Sequence, residues 1–267
     1  MSRKIAEILP APVANNLRIL KHSLEAAMEW PEARFHPWRR DSIEKLAALK
    51  DTHKGERCII IGNGPSLKNT DLSKLRGCFT VGMNRFYMAF PDLGFATSCL
   101  LTVNDLVIEQ CAKDLQSLPI PTFVSWRGHK WIEPTTNLHY LHTSYYLPHF
   151  NGNAAGRLWE GATVTFVAMQ LAYFFGFKQV VLIGVDHSFS TKGTPNTTIT
   201  STGDDPNHFH PGYFGKGFRW QLPDLETSEI AYNLAKEAYQ RDGREILDAT
   251  VGGKLTVFPK IAYESLF

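Results

Sequence analysis

The chain has 267 residues, of which 28 are basic and 26 acidic, and its formal net charge is +2. This balance excludes a protein that binds nucleic acid through a broad basic surface. Hydrophobic residues make up 43% of the sequence, which is enough for one large core or for a domain with an extension. The four cysteines form no CxxC pair, so we expect free thiols in a reducing compartment rather than a zinc site.

The first 54 residues predict a helical, charged N-terminal extension. Apolar residues recur there at helical spacing in two places, at Leu17, Leu20 and Leu24 and again at Ile43, Leu46 and Leu49. The aromatic and basic run 35–40 between them is interpreted as a packed connector.

No secretory signal is predicted at the N-terminus, and the longest apolar stretch, 166–177, is too short to cross a bilayer. We therefore expect a cytoplasmic protein. Peripheral association with the inner membrane is left open.

From residue 55 onwards, the pattern alternates between strands and helices. Short apolar runs predict strands at 57–62, 78–83, 97–103, 121–125, 138–142, 179–184 and 245–248. Longer periodic segments predict helices at 162–175 and 225–242, the first of them capped by Gly176. This alternation predicts an α/β fold, a Rossmann-like and mainly parallel sheet flanked by helices, as one domain over residues 55–267.

The first predicted strand ends in the loop Gly62-Asn63-Gly64-Pro65-Ser66. In open α/β sheets, ligands bind beyond the carboxyl ends of the strands. Gly62 and Gly64 would let the backbone approach a ligand closely, and Asn63 and Ser66 carry short polar side chains. The loop matches neither the P-loop nor the dinucleotide fingerprint. We predict that it contacts a nucleotide or another phosphorylated ligand, and the alternative is a strand-to-helix turn without a ligand.

Asparagines follow three of the predicted strands, at Asn63, Asn84 and Asn104. An amide both donates and accepts hydrogen bonds, so the three side chains would line one crevice and contact a base, a ribose or a phosphate. Asp186 follows the strand 179–184. It is predicted to hold a ribose hydroxyl or a metal, or to act as a base, and the alternative is a cap of the following segment.

Residues 188–224 interrupt the α/β pattern, with a polar part followed by an aromatic part. We interpret this segment, called the flap below, as a mobile lid that closes over the ligand. It contains the run Asp204-Asp-Pro-Asn-His208-Phe-His210. His208 could exchange a proton near neutral pH, or the two histidines and two aspartates could bind a metal. The spacing alone does not separate these two interpretations.

Several segments occur in an order that resembles a known family. They are Ile-Ile-Gly-Asn-Gly-Pro-Ser-Leu, Met-Asn-Arg-Phe-Tyr, Val-Asn-Asp, Gly-Phe-Lys-Gln-Val-Val-Leu-Ile-Gly-Val-Asp and Asn-His-Phe. Over about residues 57–215 the chain resembles the bacterial sialyltransferases of the Campylobacter type (glycosyltransferase family 42). It also resembles the related DUF115 or MptE-like proteins, which include flagellin-glycosylating Maf proteins and archaeal 6-hydroxymethylpterin diphosphokinases.

The sialyltransferase resemblance implies roles for individual residues. It implies that the CMP part of a CMP-sugar is held by Gly62, Asn63, Gly64, Ser66, Asn84 and Asn104. Thr163 would face the donor phosphate or carboxylate, and Gly184 would lie against the cytidine. His208 would match the catalytic histidine, a general base, and Tyr213 is a candidate for assisting the leaving phosphate. The family places a tyrosine directly after the aspartate that Asp186 matches, but here His187 and Ser188 follow it.

We therefore expect a glycosyltransferase of polysaccharide biosynthesis. It would move an acidic keto-sugar, sialic-acid-like or Kdo-like, from a CMP-sugar to a glycan acceptor without a metal or other cofactor. Two alternatives remain. One is a Mg²⁺-dependent pyrophosphokinase of the 6-hydroxymethylpterin type, with Mg²⁺ held by Asp105, Asp186, Asp204 and Asp205. The other is a non-catalytic partner that binds a nucleotide-sugar or glycan. Homo-oligomerisation is left open.

Overall fold

The computed structural model describes residues 11–267. The first ten residues of the predicted helical extension lie outside this part of the chain. The side chains of residues 11–19, 22 and 26 also lie outside it, among them Leu17 of the first predicted apolar repeat.

Two helices begin the described chain, α1 (Ala11–Phe35) and α2 (Pro37–Leu49). Only His36 separates them, so the predicted connector 35–40 is wrong. Its residues are helical because Pro37 suits a first helical position and the His36 ring accepts a hydrogen bond from the Trp38 amide at 3.3 Å.

Helix α2 packs against the strand Leu138–Ser144, which contains Tyr140. Ser42 Oγ accepts a hydrogen bond from the Tyr140 amide at 3.0 Å, and Leu46 is fully buried. The division of the chain at residue 54/55 stays a prediction.

The sheet contains eight parallel strands in the order β10-β7-β1-β2-β3-β4-β5-β6, and a separate antiparallel pair, β8 and β9, lies in the flap. The strands are β1 (Arg57–Ile61), β2 (Phe79–Met83), β3 (Cys99–Thr102), β4 (Thr122–Ser125), β5 (Leu138–Ser144), β6 (Arg157–Trp159), β7 (Gln179–Ile183), β8 (Thr198–Thr200), β9 (Arg219–Gln221) and β10 (Glu245–Asp248). The predicted α/β, Rossmann-like fold is confirmed. The sequence pattern missed β6, β8 and β9, because three residues are too few to show a period.

Five further α-helices follow in the described chain, α3 (Phe90–Leu93), α4 (Asp105–Gln110), α5 (Ala112–Ser117), α6 (Val164–Phe175) and α7 (Leu225–Arg241). Helix α6 ends at Gly176, whose φ of 96° is left-handed, as the sequence predicted. No described helix combines the length and apolar character that crossing a bilayer requires.

Strand β1 is buried on both faces, which explains its uninterrupted apolar sequence. Ile60 packs into a cluster with Phe166 of α6 and Tyr239 of α7. Ile59 and Ile61 face the other side, in a cluster that also contains Trp220 of the flap. The flap therefore contributes to one of the two hydrophobic cores.

The order of the strands determines where a ligand site can form. From β1 the chain proceeds to β2 on one side and through β3–β6, and it returns to β7 on the other side of β1. A ligand crevice forms at such a switch point, beyond the carboxyl ends of the strands. The loops after β1, β2, β3 and β7 meet at this edge.

Candidate active site

A cavity of about 270 Å³ lies at the carboxyl edge of the sheet. Its walls come from the strand-end loops, the start of α6 and the flap. Of the residues predicted for the site, the cavity is lined by Gly62, Asn63, Gly64, Asn84, Asn104, Thr163, Gly184, Asp186 and His208. Ser66 and Tyr213 lie outside the lining.

The glycine loop packs against the end of β7. The Gly62 amide donates to the Ile183 carbonyl at 2.7 Å, and the Gly64 amide donates to the Gly184 carbonyl at 2.9 Å. A Cβ on Gly62 would lie 2.1 Å from the Gly184 carbonyl oxygen, and one on Gly64 would lie 1.8 Å from Asp186 Oδ2. The two glycines are therefore required by the close approach of two strand-end loops, and the sequence had attributed them to a ligand.

Asp186 joins the same two loops. Its Oδ1 accepts from the Ser66 amide at 3.1 Å and its Oδ2 from Ser66 Oγ at 2.6 Å. The alternative, a cap of the segment after Asp186, does not describe these contacts, because both carboxylate oxygens accept from Ser66 in the short 3₁₀ turn Pro65–Asn69. Ser66 is buried and turned to Asp186, so it holds the loop rather than facing the cavity.

Gly62→Ala is expected to lower the free energy of unfolding by about 1–3 kcal/mol or more, since a methyl group has no space beside the Gly184 backbone. Urea unfolding measures this loss. Gly203→Ala is the matched control, because a Cβ there has no atom within 4 Å and the residue has an ordinary φ. Equal unfolding curves for the two variants would contradict the packing argument.

The three predicted asparagines do meet at one edge, but with different hydrogen bonds. Asn63 Nδ2 donates to the Met83 carbonyl at 3.1 Å, and its buried Oδ1 has no partner among the described residues. Asn84 has a left-handed φ of 53°, and its Oδ1 accepts from Thr102 Oγ1. Asn104 Oδ1 caps α4. Of the three side-chain oxygens, the one of Asn63 is therefore without a hydrogen-bond partner among the described residues.

Helix α6 begins at the cavity wall. Thr163 is its N-cap, with Oγ1 accepting from the Thr165 amide at 3.3 Å, and the first turn contains no acidic residue. Ala162 before it has a positive φ of 57°, a strained conformation that is typical of functional sites. The helix therefore directs its positive dipole end to the cavity, which suits an anion.

The flap is attached to the glycine loop and to the segment after β2. The Phe209 amide donates to the Asn63 carbonyl at 2.9 Å, and Arg85 Nη1 donates to the carbonyls of Gly212 and Tyr213. These contacts hold His208 at the cavity.

Tyr213 lies behind His208 and has no exposed surface. The two rings stack with centroids 4.1 Å apart, and the Tyr213 hydroxyl accepts from the Arg85 amide at 3.3 Å. Burial raises the pKa of Tyr213, so the hydroxyl stays neutral. The predicted contact of Tyr213 with a leaving phosphate is corrected, because the ring supports His208 instead of facing the cavity.

Sequence reasoning missed a buried ion cluster beside the cavity. Arg127 Nη2 lies 2.6 Å from Glu160 Oε1, and Arg127 Nε lies 2.9 Å from Asp105 Oδ1. Glu160 lines the cavity, also accepts from Thr143 Oγ1, and burial raises its pKa. The Arg127 guanidinium stacks over the ring of Tyr145 at 4.3 Å. The three charges follow different strands, so no spacing in the sequence connects them.

The chain is similar to two solved structures. A Maf glycosyltransferase from Magnetospirillum magneticum AMB-1 is 14% identical with a TM-score of 0.50, and the match covers 91% of this chain but 42% of that one. The chain thus spans about two fifths of that protein. A mammalian sialyltransferase, in complex with Gal-beta-1-3GalNAc-ortho-nitrophenol, is 11% identical with a TM-score of 0.37 and coverages of 84% and 83%. No curated protein matches the chain.

A family model described as "6-hydroxymethylpterin diphosphokinase MptE-like" matches residues 38–192. The match begins in α2, extends through β7 and includes the glycine loop and the start of α6. It covers more than half of the sequence and confirms the resemblance that the motifs indicated. The chain belongs to the MptE-like family.

Proposed function

We propose that the protein is a glycosyltransferase that moves an acidic keto-sugar from a CMP-sugar to a hydroxyl of a glycan acceptor. The observation that carries the proposal is the position of His208. Its ring lines the cavity together with the strand-end loops, and its Nδ1 lies 2.7 Å from Asp205 Oδ2. A histidine held in this way at a cavity, with its other nitrogen unpaired among the described residues, is suited to general-base catalysis.

The proposed reaction has one displacement step. The acceptor hydroxyl transfers its proton to His208 Nε2 while its oxygen forms a bond to the anomeric carbon of the donor. The bond from that carbon to the phosphate oxygen of CMP breaks, and its electron pair stays with the phosphate. The positive dipole end of α6 would stabilise the charge on the leaving phosphate or on the sugar carboxylate.

The charges of the cavity favour this donor over ATP. Within the described chain, the lining contains neither lysine nor arginine, whereas Glu160, Asp186 and Asp224 belong to it. A triphosphate normally requires cationic side chains together with Mg²⁺. One phosphate and one carboxylate carry less charge, which a helix N-terminus and neutral amides can bind.

The family description favours a second candidate, a diphosphokinase that transfers diphosphate from ATP to a pterin alcohol. That reaction depends on Mg²⁺ held by carboxylates. Asp105, Asp186 and Asp205 bind Arg127, Ser66 and His208 respectively, and Asp204 is exposed. In the described part of the chain, no three metal-ligating side chains are grouped together. The residues therefore do not fit a preformed magnesium site.

A calorimetric panel of CMP, CDP, UDP, GDP and ATP, each with and without Mg²⁺, tests the proposal. We expect CMP to bind with an affinity that Mg²⁺ does not change, and CMP-sugar acids would then be screened for transfer. ATP binding that requires Mg²⁺, without CMP binding, would favour the diphosphokinase. Binding of a nucleotide-sugar without turnover would favour the non-catalytic partner.

Asn63→Ala is expected to weaken CMP binding about tenfold, the effect of losing one or two hydrogen bonds. The side chain lines the cavity, joins the loop to Met83 and has a buried oxygen without a described partner. Calorimetry measures the change in affinity. The control is Asn69→Ala, since Asn69 is exposed and lies outside the cavity lining. An unchanged affinity in Asn63→Ala would remove this side chain from the nucleotide site.

A further inference from the structure

We infer that Asp205 is a positioning residue for His208. It fixes the neutral imidazole in the tautomer that carries the proton on Nδ1. Nε2 is then the only ring nitrogen able to accept a proton from a ligand. The catalytic meaning of this inference rests on the proposed function. The tautomer itself is a property of the free protein and can be measured without a substrate.

Three hydrogen bonds hold the Asp205 carboxylate in place. Oδ1 accepts from the Asn207 amide at 2.9 Å, and Oδ2 accepts from the Phe214 amide at 3.2 Å and lies 2.7 Å from His208 Nδ1. The Asp205 side chain is only 3% exposed. An ionised carboxylate can only accept hydrogen bonds, so the proton between Asp205 and His208 belongs to the histidine.

Aromatic side chains prevent the His208 ring from turning away. Tyr213 stacks on one face, at 4.1 Å between centroids and 13° between planes, and the Phe214 ring lies 4.8 Å away at 69°. A ring flip would exchange Nδ1 for a carbon and leave the Asp205 carboxylate with an unmade hydrogen bond, which costs about 1–3 kcal/mol. The carboxylate and the stack therefore select one orientation of the ring.

The other ring nitrogen remains available to a ligand. His208 lines the cavity with a side chain that is 12% exposed, and its Nε2 has no hydrogen-bond partner among the described residues. After proton uptake, the imidazolium would lie against the Asp205 carboxylate, which stabilises its charge. Asp205 thus orients the His208 ring before the proton transfer and stabilises the charge of the imidazolium after it.

The cavity contains a second histidine that serves as an internal comparison. His187 also lines the cavity, but its Nε2 lies 2.8 Å from Glu229 Oε1. The same argument assigns the proton of neutral His187 to Nε2. The two histidines should therefore carry opposite tautomers in one sample.

Long-range ¹H–¹⁵N NMR of the imidazole rings tests the inference on the unmodified protein. The spectrum is recorded well above the ordinary histidine pKa of about 6.5, and the signals of His208 and His187 are assigned by their loss in His208→Gln and His187→Gln. We expect a protonated Nδ1 and an unprotonated Nε2 for His208, and the reverse for His187. A protonated Nε2 in neutral His208 overturns the inference.

The Asp205→Asn variant provides the second test, because an asparagine amide can donate to Nδ1 and so favour the opposite tautomer. We expect the His208 signals to change to the Nε2–H pattern and kcat to fall about 10³-fold or more. CMP affinity should stay within about twofold of the wild type. The matched control is Asp92→Asn, an exposed carboxylate outside the cavity lining.

The two proposals fail in different ways. An Nδ1–H tautomer in a protein that transfers no CMP-sugar supports the inference about Asp205 and contradicts the proposed glycosyltransferase. An active wild type whose Asp205→Asn variant keeps the kcat of Asp92→Asn overturns the positioning role. If Asp205→Asn does not fold, the tautomer of the wild-type protein decides the inference.

Discussion

The His208→Gln variant should lose turnover by about 10³-fold while CMP affinity stays nearly unchanged, because a general base acts on the acceptor proton and not on the nucleotide. Glutamine can keep a hydrogen bond to Asp205 and part of the contact with Tyr213, so the fold should tolerate it. The measurements are kcat with the CMP-sugar acids that pass the screen, and calorimetry with CMP.

His210→Gln is the matched control for this prediction. His210 lies two residues further along the flap, outside the cavity lining, and its Nδ1 accepts from the Gly212 amide at 3.0 Å. Loss of kcat in His208→Gln but not in His210→Gln would assign the effect to the base. Retained turnover in His208→Gln would rule out the base assignment. If the protein is a non-catalytic binding partner, neither variant will differ from the wild type in ligand binding.

The second large effect is acid unfolding through two histidines of β5. Burial lowers the pKa of His139 to about 4, with Lys45 adding to the shift and Asp41 opposing it. Burial also lowers the pKa of His142 to about 4, with Arg39, Arg157 and Arg127 adding to the shift. Each histidine is only 7% exposed and stays neutral in the native state.

The sign of the effect follows from where the protons bind. Between about pH 6.5 and about pH 4 the unfolded chain binds a proton at each histidine and the native protein does not. The free energy of unfolding therefore falls as the pH falls through this window, by about 3 kcal/mol for each histidine. Glu160 opposes this trend. Its raised pKa means that the native state binds the proton of this carboxyl group more tightly than the unfolded chain does, which favours the native state at low pH.

Urea unfolding at a series of pH values from about 7 to about 4 measures this loss. His139→Phe should reduce the slope, since a phenyl ring can keep the stack on Phe123, which has centroids 4.8 Å apart. His142→Gln, tested as a second single variant, should also reduce the slope of the free energy of unfolding against pH. His210→Gln, outside β5, controls for a general effect of replacing a histidine. If the slope is the same in the wild type and in both β5 variants, these histidines do not control the acid sensitivity.

Local patterns were sufficient for the framework of the fold. Strands β1 and β7 were predicted because each is an apolar run buried on both faces of a parallel sheet. Helix α6 was predicted because its apolar residues recur with helical spacing and Gly176 ends it in a left-handed conformation. The short junction between α1 and α2 at His36 was not predicted. The aromatic and basic run 35–40 was interpreted as a connector, whereas its Pro37 is the first residue of α2.

Local sequence patterns were not sufficient to predict how the flap packs. Its polar first half suggested a mobile lid, but Tyr213, Phe214 and Trp220 are buried in the core on one side of the sheet. The composition of the flap indicates that its aromatic side chains are packed, but it does not indicate which part of the protein they pack against. The sequence left His208 open between a metal ligand and a base, and the hydrogen bond from Nδ1 to Asp205 favours the base.

By itself, the sequence determined the α/β framework and the strand-end positions of the asparagines, because burial, periodicity and turn residues act over a few neighbouring positions. The order of its motifs indicated the family by resemblance. The tertiary structure alone decided which atoms these residues contact. Asp186 binds Ser66 across 120 positions of sequence, and Glu160 binds Arg127 across 33. Gly62 and Gly64 are required by the backbone of Gly184 and the side chain of Asp186. Such contacts depend on the order of the strands, which brings distant loops to one edge of the sheet and leaves no period in the sequence.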